Sequence, residues 1–307
     1  MLWARRRLTC TSALDDAKGA PEHMAIEPVG SAPTLAARVP ILMYHEVLAE
    51  EQLRDLAGRI QSSYVITDTQ FSLHLELIRE LGLQIIGLDR FIAWRDGKSD
   101  LPDNAVIISF DDGYSGNFQH ALPLLQEFGS SGTFFVVSRK IGDPGMMSWA
   151  QLRAMGDAGM LVESHTATHP LLSQLDEKAT REELEQSKHE IQSRTGRAVT
   201  MISLPNGDVN PWYKRIALDL GYAGGCCSAI GLNSASTDRF MLKRIPIKRG
   251  LTQAQLRGYL SGSTVTYAAA KVQSMAKGAL VGALGKGNYD KVYNRFFGVQ
   301  DQRKRGS

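Results

Sequence analysis

Two adjacent aspartates follow a run of mostly apolar residues in the segment VIISFDDGY. Asp111 and Asp112 come directly after Phe110, at the point where a buried strand would end. Two carboxylates are costly to bury side by side, but a nearby cation makes both charges tolerable. The pair therefore predicts a site for a cation or for acid–base chemistry.

A second segment, SHTATHP, places two histidines four residues apart, at His165 and His169. This spacing alone is not specific, because such pairs also occur incidentally on helices. Here Pro170 disfavours helix at His169, and the segment directly follows a predicted strand. Two imidazoles and a carboxylate leave a fourth metal position open for water. These residues and the aspartates therefore predict a metal site; the alternative is a hydrogen-bonded core His165 and a surface His169.

The elements that must position these residues are short apolar runs that alternate with amphipathic segments between Val39 and Gly250. The runs are continuously apolar, which is typical of parallel strands covered on both faces. Such alternation gives an open doubly wound sheet or a closed barrel, and no G-x-G-x-x-G follows the first strand. We therefore predict an α/β barrel that need not be complete. The predicted N-caps of three of its helices are Thr69, Ser148 and Thr180.

Catalytic groups of parallel α/β folds lie in loops after the carboxyl ends of the strands. His45 leaves the first predicted strand, the aspartate pair leaves VIISF, the two histidines leave MLVES, and LPNGD follows VTMIS. Two aspartates and two histidines can thus converge on one rim. His45 lies at the same rim, either as a substrate contact or as a structural residue.

The composition excludes several classes of protein. The chain has 307 residues and a net charge of +3, too small to predict nucleic-acid binding. Its three cysteines, Cys10, Cys226 and Cys227, cannot form a disulfide framework or a four-thiolate zinc site. No run approaches the about 18 apolar residues of a transmembrane helix. No signal-peptide h-region is visible either, so we predict a cytoplasmic or membrane-peripheral location.

The C-terminal segment differs from the rest of the chain in charge. Residues 264–307 carry eight Lys or Arg and two Asp, a net charge of +6. Apolar residues recur there at helical spacing, namely Val265, Ala268, Val272, Met275 and Ala279. They indicate a helix packed against the barrel or a basic amphipathic segment on an anionic membrane; the third alternative is a disordered tail. The predicted domains are a flexible leader (1–38), a catalytic domain (39–260) and a basic amphipathic helical tail (261–307).

Three segments carry a family resemblance: SFDDGY, SHTATHP and SLPNG, in this order, resemble the successive motifs of the polysaccharide deacetylase family, the NodB-homology carbohydrate esterases. The opening VPILMYHEV is similar to the branch that includes poly-N-acetylglucosamine deacetylases. The resemblance spans roughly residues 39–250. It implies a distorted (β/α) barrel with seven or eight parallel strands, a carbohydrate substrate and a divalent metal, usually zinc. Relatives are often extracytoplasmic, which conflicts with the location predicted above.

The resemblance also implies roles for individual residues. By position, Asp111 matches the catalytic base of the family, and the backbone N–H of Asn206 matches the donor that helps to hold the oxyanion. Asp112, His165 and His169 match the positions of the three metal ligands of the family.

Several positions depart from the family pattern, and two of the departures concern the reaction directly. Ser203 stands where the family often has an arginine that steadies the base aspartate. The family's late motif supplies a histidine that protonates the leaving amine, but no histidine follows His189. The late strand offers Lys243 or Arg244 instead. The residues predicted to contact substrate are His45, Pro205 and Arg244.

The function predicted from these motifs is a metal-dependent hydrolase that removes acetyl groups from an N-acetylglucosamine-type polysaccharide or glycan precursor. One alternative is hydrolysis of another small amide or ester on the same barrel. A second is a non-catalytic carbohydrate-binding relative, suggested by Ser203 and the missing histidine. The intact set of two aspartates and two histidines argues against that second alternative.

Overall fold

The structure is a computed structural model that describes residues 38–55 and 63–284. Nearly all of the predicted leader and the end of the predicted tail lie outside these residues. The strands are β1 (Ile41–Tyr44), β2 (Glu46–Leu48), β3 (Val65–Thr67), β4 (Gln84–Ile86), β5 (Ala105–Phe110), β6 (Thr133–Val136), β7 (Leu161–Ser164), β8 (Met201–Ser203), β9 (Gly224–Cys226) and β10 (Ile245–Pro246).

Helices follow most of these strands. They are α1 (Glu50–Asp55), α2 (Asp68–Glu80), α3 (Leu88–Arg95), α4 (Leu122–Glu127), α5 (Trp149–Asp157), α6 (Glu177–Thr195), α7 (Tyr213–Asp219), α8 (Gln253–Leu260) and α9 (Thr264–Leu284). A π-helical turn at Asn117–Ala121 leads into α4. Shorter 3-10 turns lie at Ser138–Lys140, Leu172–Gln174 and Pro205–Gly207.

Eight of the strands form one curled parallel sheet, in the order β10-β1-β5-β6-β7-β8-β9, with β4 paired to the first half of β5. The two edge strands of the sheet, β9 and β10, are connected by hydrogen bonds of the segment just before β10. There the Leu242 N–H donates to the Gly225 carbonyl at 2.9 Å, while Ile245 pairs with Leu42 of β1. The prediction of a distorted (β/α) barrel is confirmed.

The inside of the barrel is layered from apolar to polar. Side chains alternate across a strand, so Ile107, Ser109 and Asp111 share the inner face of β5. An inner apolar cluster at the amino half contains Ile107 together with Phe135 and residues of β8 and β9. The inner face of β5 therefore becomes polar towards the carboxyl end of the strand, where the candidate catalytic residues lie.

Two predicted helix caps are wrong, and the third is confirmed. Ser148 caps α5 in a capping box with Gln151. The cap of α2 is Thr67, not Thr69, because the Thr67 hydroxyl accepts the N–H of Gln70. The helix begins two residues earlier than the apolar pattern suggested.

The cap of α6 is Asp176, whose carboxylate accepts the N–H of Ala179. Thr180 lies inside the helix, where its hydroxyl donates to the Asp176 carbonyl. Glu183, three residues after Thr180, has a partner outside the helix. Its carboxylate accepts the N–H groups of Ala167 and Thr168 and so holds the loop that carries the two histidines.

The helix α9 does not pack through its predicted apolar face. The buried side of the helix carries Ala270, and the Tyr267 hydroxyl donates to the Tyr259 carbonyl of α8. Val265, Val272 and Met275 are instead 76%, 66% and 66% exposed. The helix therefore packs on α8, but through a different side from the predicted stripe. Within the described residues, no helix combines the length and the apolarity that a membrane span requires.

Candidate active site

Asp111 and Asp112 are adjacent, but the backbone sends their side chains to different places. Asp111 continues the inner row of β5, and its N–H donates to the Tyr44 carbonyl at 3.0 Å. Asp112 has a φ of 74°, in the left-handed region that non-glycine residues seldom occupy. The chain therefore turns at Asp112, and the two carboxylates do not share one environment.

Asp112 meets both histidines of the SHTATHP segment. Its Oδ1 lies 3.6 Å from Nε2 of His165 and 3.4 Å from Nε2 of His169. One ligand atom from each residue falls within 4.8 Å of the other two. The structure thus brings together the three residues that the sequence assigned to a metal.

The surroundings of the histidines fit a metal site. Nδ1 of His165 lies 2.8 Å from the Ser203 carbonyl, which can only accept, so Nδ1 carries the proton and Nε2 offers its lone pair. The His169 N–H donates to the Thr166 hydroxyl at 3.0 Å. Burial and the neighbouring His165 lower the pKa of His169, which favours the neutral imidazole that binds metal. This donor set suits a divalent ion such as zinc.

Arg244 forms a two-point ion pair with Asp111. Nη1 donates to Oδ1 and Nη2 to Oδ2, both at 2.7 Å. The Ser203 hydroxyl accepts from Nη2 at 2.8 Å and donates to Asp111 Oδ2 at 3.2 Å. Arg244 is 0% exposed; it lies beneath Asp111 and fixes that carboxylate, and a contact of Arg244 with substrate stays a prediction.

The same ion pair decides the charge of Asp111. Burial alone would raise the pKa of this carboxyl, but the charge of Arg244 holds it well below its usual range. Asp111 is therefore a carboxylate throughout the neutral range, able to accept a proton. Arg244, from the late strand, therefore takes the place of the arginine that the family often has at the position of Ser203. The signal in the sequence was an arginine between apolar residues in LKRIPI.

His45 lies beside these residues and has a buried ring nitrogen. Its ring packs on Tyr64 with centroids 4.4 Å apart, and its Nδ1 is buried without a hydrogen-bond partner among the described residues. Burial lowers the pKa of His45, while the charges of Asp111 and Asp112 act in the opposite direction. An unpaired buried nitrogen is unusual, and it makes His45 a candidate for a role in proton transfer.

Two further polar residues adjoin Asp112, and the motif comparison gave them no role. Burial raises the pKa of Glu46 to about 7, although a hydrogen bond with the Gly116 backbone opposes this. Burial and the charge of Asp112 raise the pKa of Tyr114 to about 12. Tyr114 therefore lies close to the carboxylate of Asp112.

Asn206 lies in a left-handed turn just after β8. Its φ is 57°, its side chain is exposed, and its backbone N–H forms no hydrogen bond with any described residue. That N–H is available to an external acceptor, as an oxyanion donor must be. Pro205 is buried, so the prediction that it contacts substrate does not fit its position; it shapes the turn that presents Asn206.

Comparison with known proteins places this geometry in a family. Residues 98–225 match the family model for polysaccharide deacetylases. Residues 98–225 therefore form a polysaccharide deacetylase domain. Members of the family are hydrolases that act on N-acetyl groups of carbohydrates.

Individual relatives agree with this assignment. YxkH of Bacillus subtilis strain 168, which carries the name of a polysaccharide deacetylase, is 26% identical over 224 residues, 73% of this chain and 76% of that protein. The poly-β-1,6-N-acetyl-D-glucosamine N-deacetylase of Staphylococcus epidermidis is 27% identical over 136 residues, 41% of this chain and 47% of that protein. The Streptococcus pyogenes deacetylase PplD, solved with acetate, has a TM-score of 0.65 at 22% identity and covers 75% of this chain and 98% of its own. This last likeness supports the fold.

Proposed function

We propose that this chain is a metal-dependent deacetylase that releases acetate from N-acetylglucosamine units of a polysaccharide or a glycan precursor. The observation that carries the proposal is the position of Asp111, ionised by Arg244, directly beside the cluster of Asp112, His165 and His169. The substrate class is supported by the similarity to the Staphylococcus epidermidis N-deacetylase.

The metal would be held by Asp112, His165 and His169, and the two imidazoles and one carboxylate make zinc the expected ion. When bound, such an ion polarises a carbonyl oxygen and lowers the pKa of water. The chain prepares this site in advance, because the Ser203 carbonyl fixes the His165 tautomer and Glu183 holds the loop before His169.

Asp111 would act as the general base. A carboxylate offers about four lone-pair positions. Arg244 and Ser203 together occupy three of them, two on Oδ2 and one on Oδ1. The remaining position on Oδ1 is where Asp111 would accept a proton from the attacking water.

Two other groups would complete the reaction. The N–H of Asn206 would donate to the negative oxygen that develops on the acetyl carbon. The proton that Asp111 accepts would return to the leaving amine through His45, in the place of the late histidine that the sequence lacks. This assignment is supported by its buried, unpaired Nδ1 and its proximity to the charges of Asp111 and Asp112.

The deciding experiment measures bound metal and released acetate together, with N-acetylglucosamine oligomers as substrate. We expect the native chain to bind metal and release acetate, and Asp111→Asn to bind metal but lose the activity. A folded native chain that takes up no metal would contradict the proposal. Release from small acetylated amides or esters but never from the oligomers would favour the alternative hydrolase, and metal binding without any release would favour a carbohydrate-binding protein.

A further inference from the structure

The outward face of α9 carries an apolar stripe that nothing in the described chain covers. Seven large apolar residues are exposed among the described residues, and Val265, Val272 and Met275 of this one helix are three of them. Their spacing of seven and three residues places them on one side of the helix. We propose that α9 binds the surface of an anionic bilayer through this stripe.

The stripe is a stable feature of the surface, because the opposite side of α9 is anchored. Ala270 is buried, Tyr267 packs edge-on against Tyr259 with ring centroids 5.3 Å apart, and the Tyr267 hydroxyl donates to the Tyr259 carbonyl at 3.1 Å. Turning the stripe inward would break these contacts. Within residues 38–55 and 63–284, nothing else covers these apolar side chains.

The charge of this region selects a bilayer over a second copy of the chain. The sequence of α9 contains Lys271 and Lys277 and no acidic residue, and residues 264–307 together carry a net charge of +6. Two such helices would bring like charges together, whereas anionic lipid head groups attract them. Basic residues beside an apolar stripe are typical of helices that lie in the membrane interface.

The start of α9 lies at the end of the barrel opposite the candidate active site. Thr264 and Tyr267 line a cavity with Arg38 and Asn233, and Asn233 pairs with Val39, just before β1 begins. The catalytic residues lie at the carboxyl ends of the strands. A bilayer bound at this helix therefore leaves the catalytic rim accessible to a glycan.

The test is flotation of the full-length chain with two kinds of vesicle. One contains phosphatidylcholine with phosphatidylserine, and the other contains phosphatidylcholine alone. We expect a bound fraction on the order of tenfold higher with the anionic vesicles, and a loss of this binding as salt is raised. The double variant Val272→Glu with Met275→Glu is expected to lose most of the binding.

The matched control is Leu73→Glu with Leu218→Glu, which adds the same two charges at exposed apolar residues of α2 and α7 (46% and 53% exposed). It is expected to bind as the native chain does. Equal recovery with both kinds of vesicle, or equal losses in the α9 variant and the control, would overturn the proposal. A stripe-dependent dimer in solution that ignores vesicles would assign the surface to a second copy and also overturn it. Circular dichroism of each variant verifies folding, so the outcome is independent of deacetylase activity.

Discussion

Two buried carboxylates in this barrel have the same exposure and opposite behaviour. Asp111 and Glu163 are each 3% exposed. Asp111 has Arg244 as a two-point partner, and its pKa is held below the usual range despite burial. Glu163 accepts the N–H groups of Thr200 and Met201, yet burial raises its pKa to about 7. Backbone N–H groups satisfy the hydrogen bonds of Glu163 but do not lower its pKa to the usual range. The full positive charge of Arg244 is what keeps Asp111 ionised.

The comparison predicts that only one of these two charges is used in catalysis. Asp111→Asn should lower kcat for acetate release by about 10²–10⁴-fold, because the amide cannot accept the proton. Metal content should stay as in the native chain, since the three proposed ligands are intact. Glu163→Gln is the matched control and should keep its activity at neutral pH. Comparable losses in both variants would show that the charge at Asp111 has no special role.

Removing the counter-charge should make Asp111 resemble Glu163. Arg244→Met leaves a buried carboxylate without its partner, and we expect the free energy of unfolding to fall by about 3–5 kcal/mol at neutral pH. Urea denaturation measures this change. Arg244→Lys restores one positive charge without the two-point geometry, and it should recover part of the loss. A fully stable Arg244→Met variant would argue against the ion pair as the cause.

The raised pKa of Glu163 predicts a specific pH dependence of stability. The folded state holds the carboxyl proton up to about pH 7, against a usual value of 4.5. The stabilisation from the neutral form is complete below pH 4.5 and is lost as the pH rises through 7. The native chain should therefore lose about 3 kcal/mol relative to Glu163→Gln across this window. Parallel curves for the two proteins between pH 4 and pH 8 would contradict this.

The smallest effect is expected at Ser203, which touches both members of the ion pair. Ser203→Ala removes one hydrogen bond to Asp111 and one to Arg244 but keeps the charges. We expect a loss of about 1–3 kcal/mol in the free energy of unfolding and a reduction in kcat on the order of tenfold or less. A kcat loss as large as that of Asp111→Asn would mean that the hydroxyl takes part in proton transfer.

The fold and the proposed metal ligands could be predicted from the sequence because both depend on local order along the chain. Continuous apolar runs marked the strands, and Asp112, His165 and His169 follow the ends of two of them. The partnership of Arg244 with Asp111 could not be predicted in this way. It depends on the register between β5 and β10, which are far apart in the sequence. That register is set by the pairing of both strands with β1.

Other expectations failed for a similar reason. The stripe of α9 has the helical spacing of a packed face, but spacing does not say which side of a helix meets the barrel. At α6, both Asp176 and Thr180 are residue types that cap helices. The structure uses Asp176, whose carboxylate accepts the Ala179 N–H, and Glu183 binds the histidine loop instead of a cap.

Within the described residues, four residues other than glycine have positive φ: Asp112, Thr166, His169 and Asn206. All four lie in the loops at the candidate active site. Left-handed backbone at such residues costs on the order of 1–3 kcal/mol each. Glycine would relieve this cost, yet it would remove a side chain that the rim uses at Asp112 and His169. Thermostabilised variants of this chain are therefore best sought outside these loops, because the rim holds its side chains in place at the expense of backbone stability.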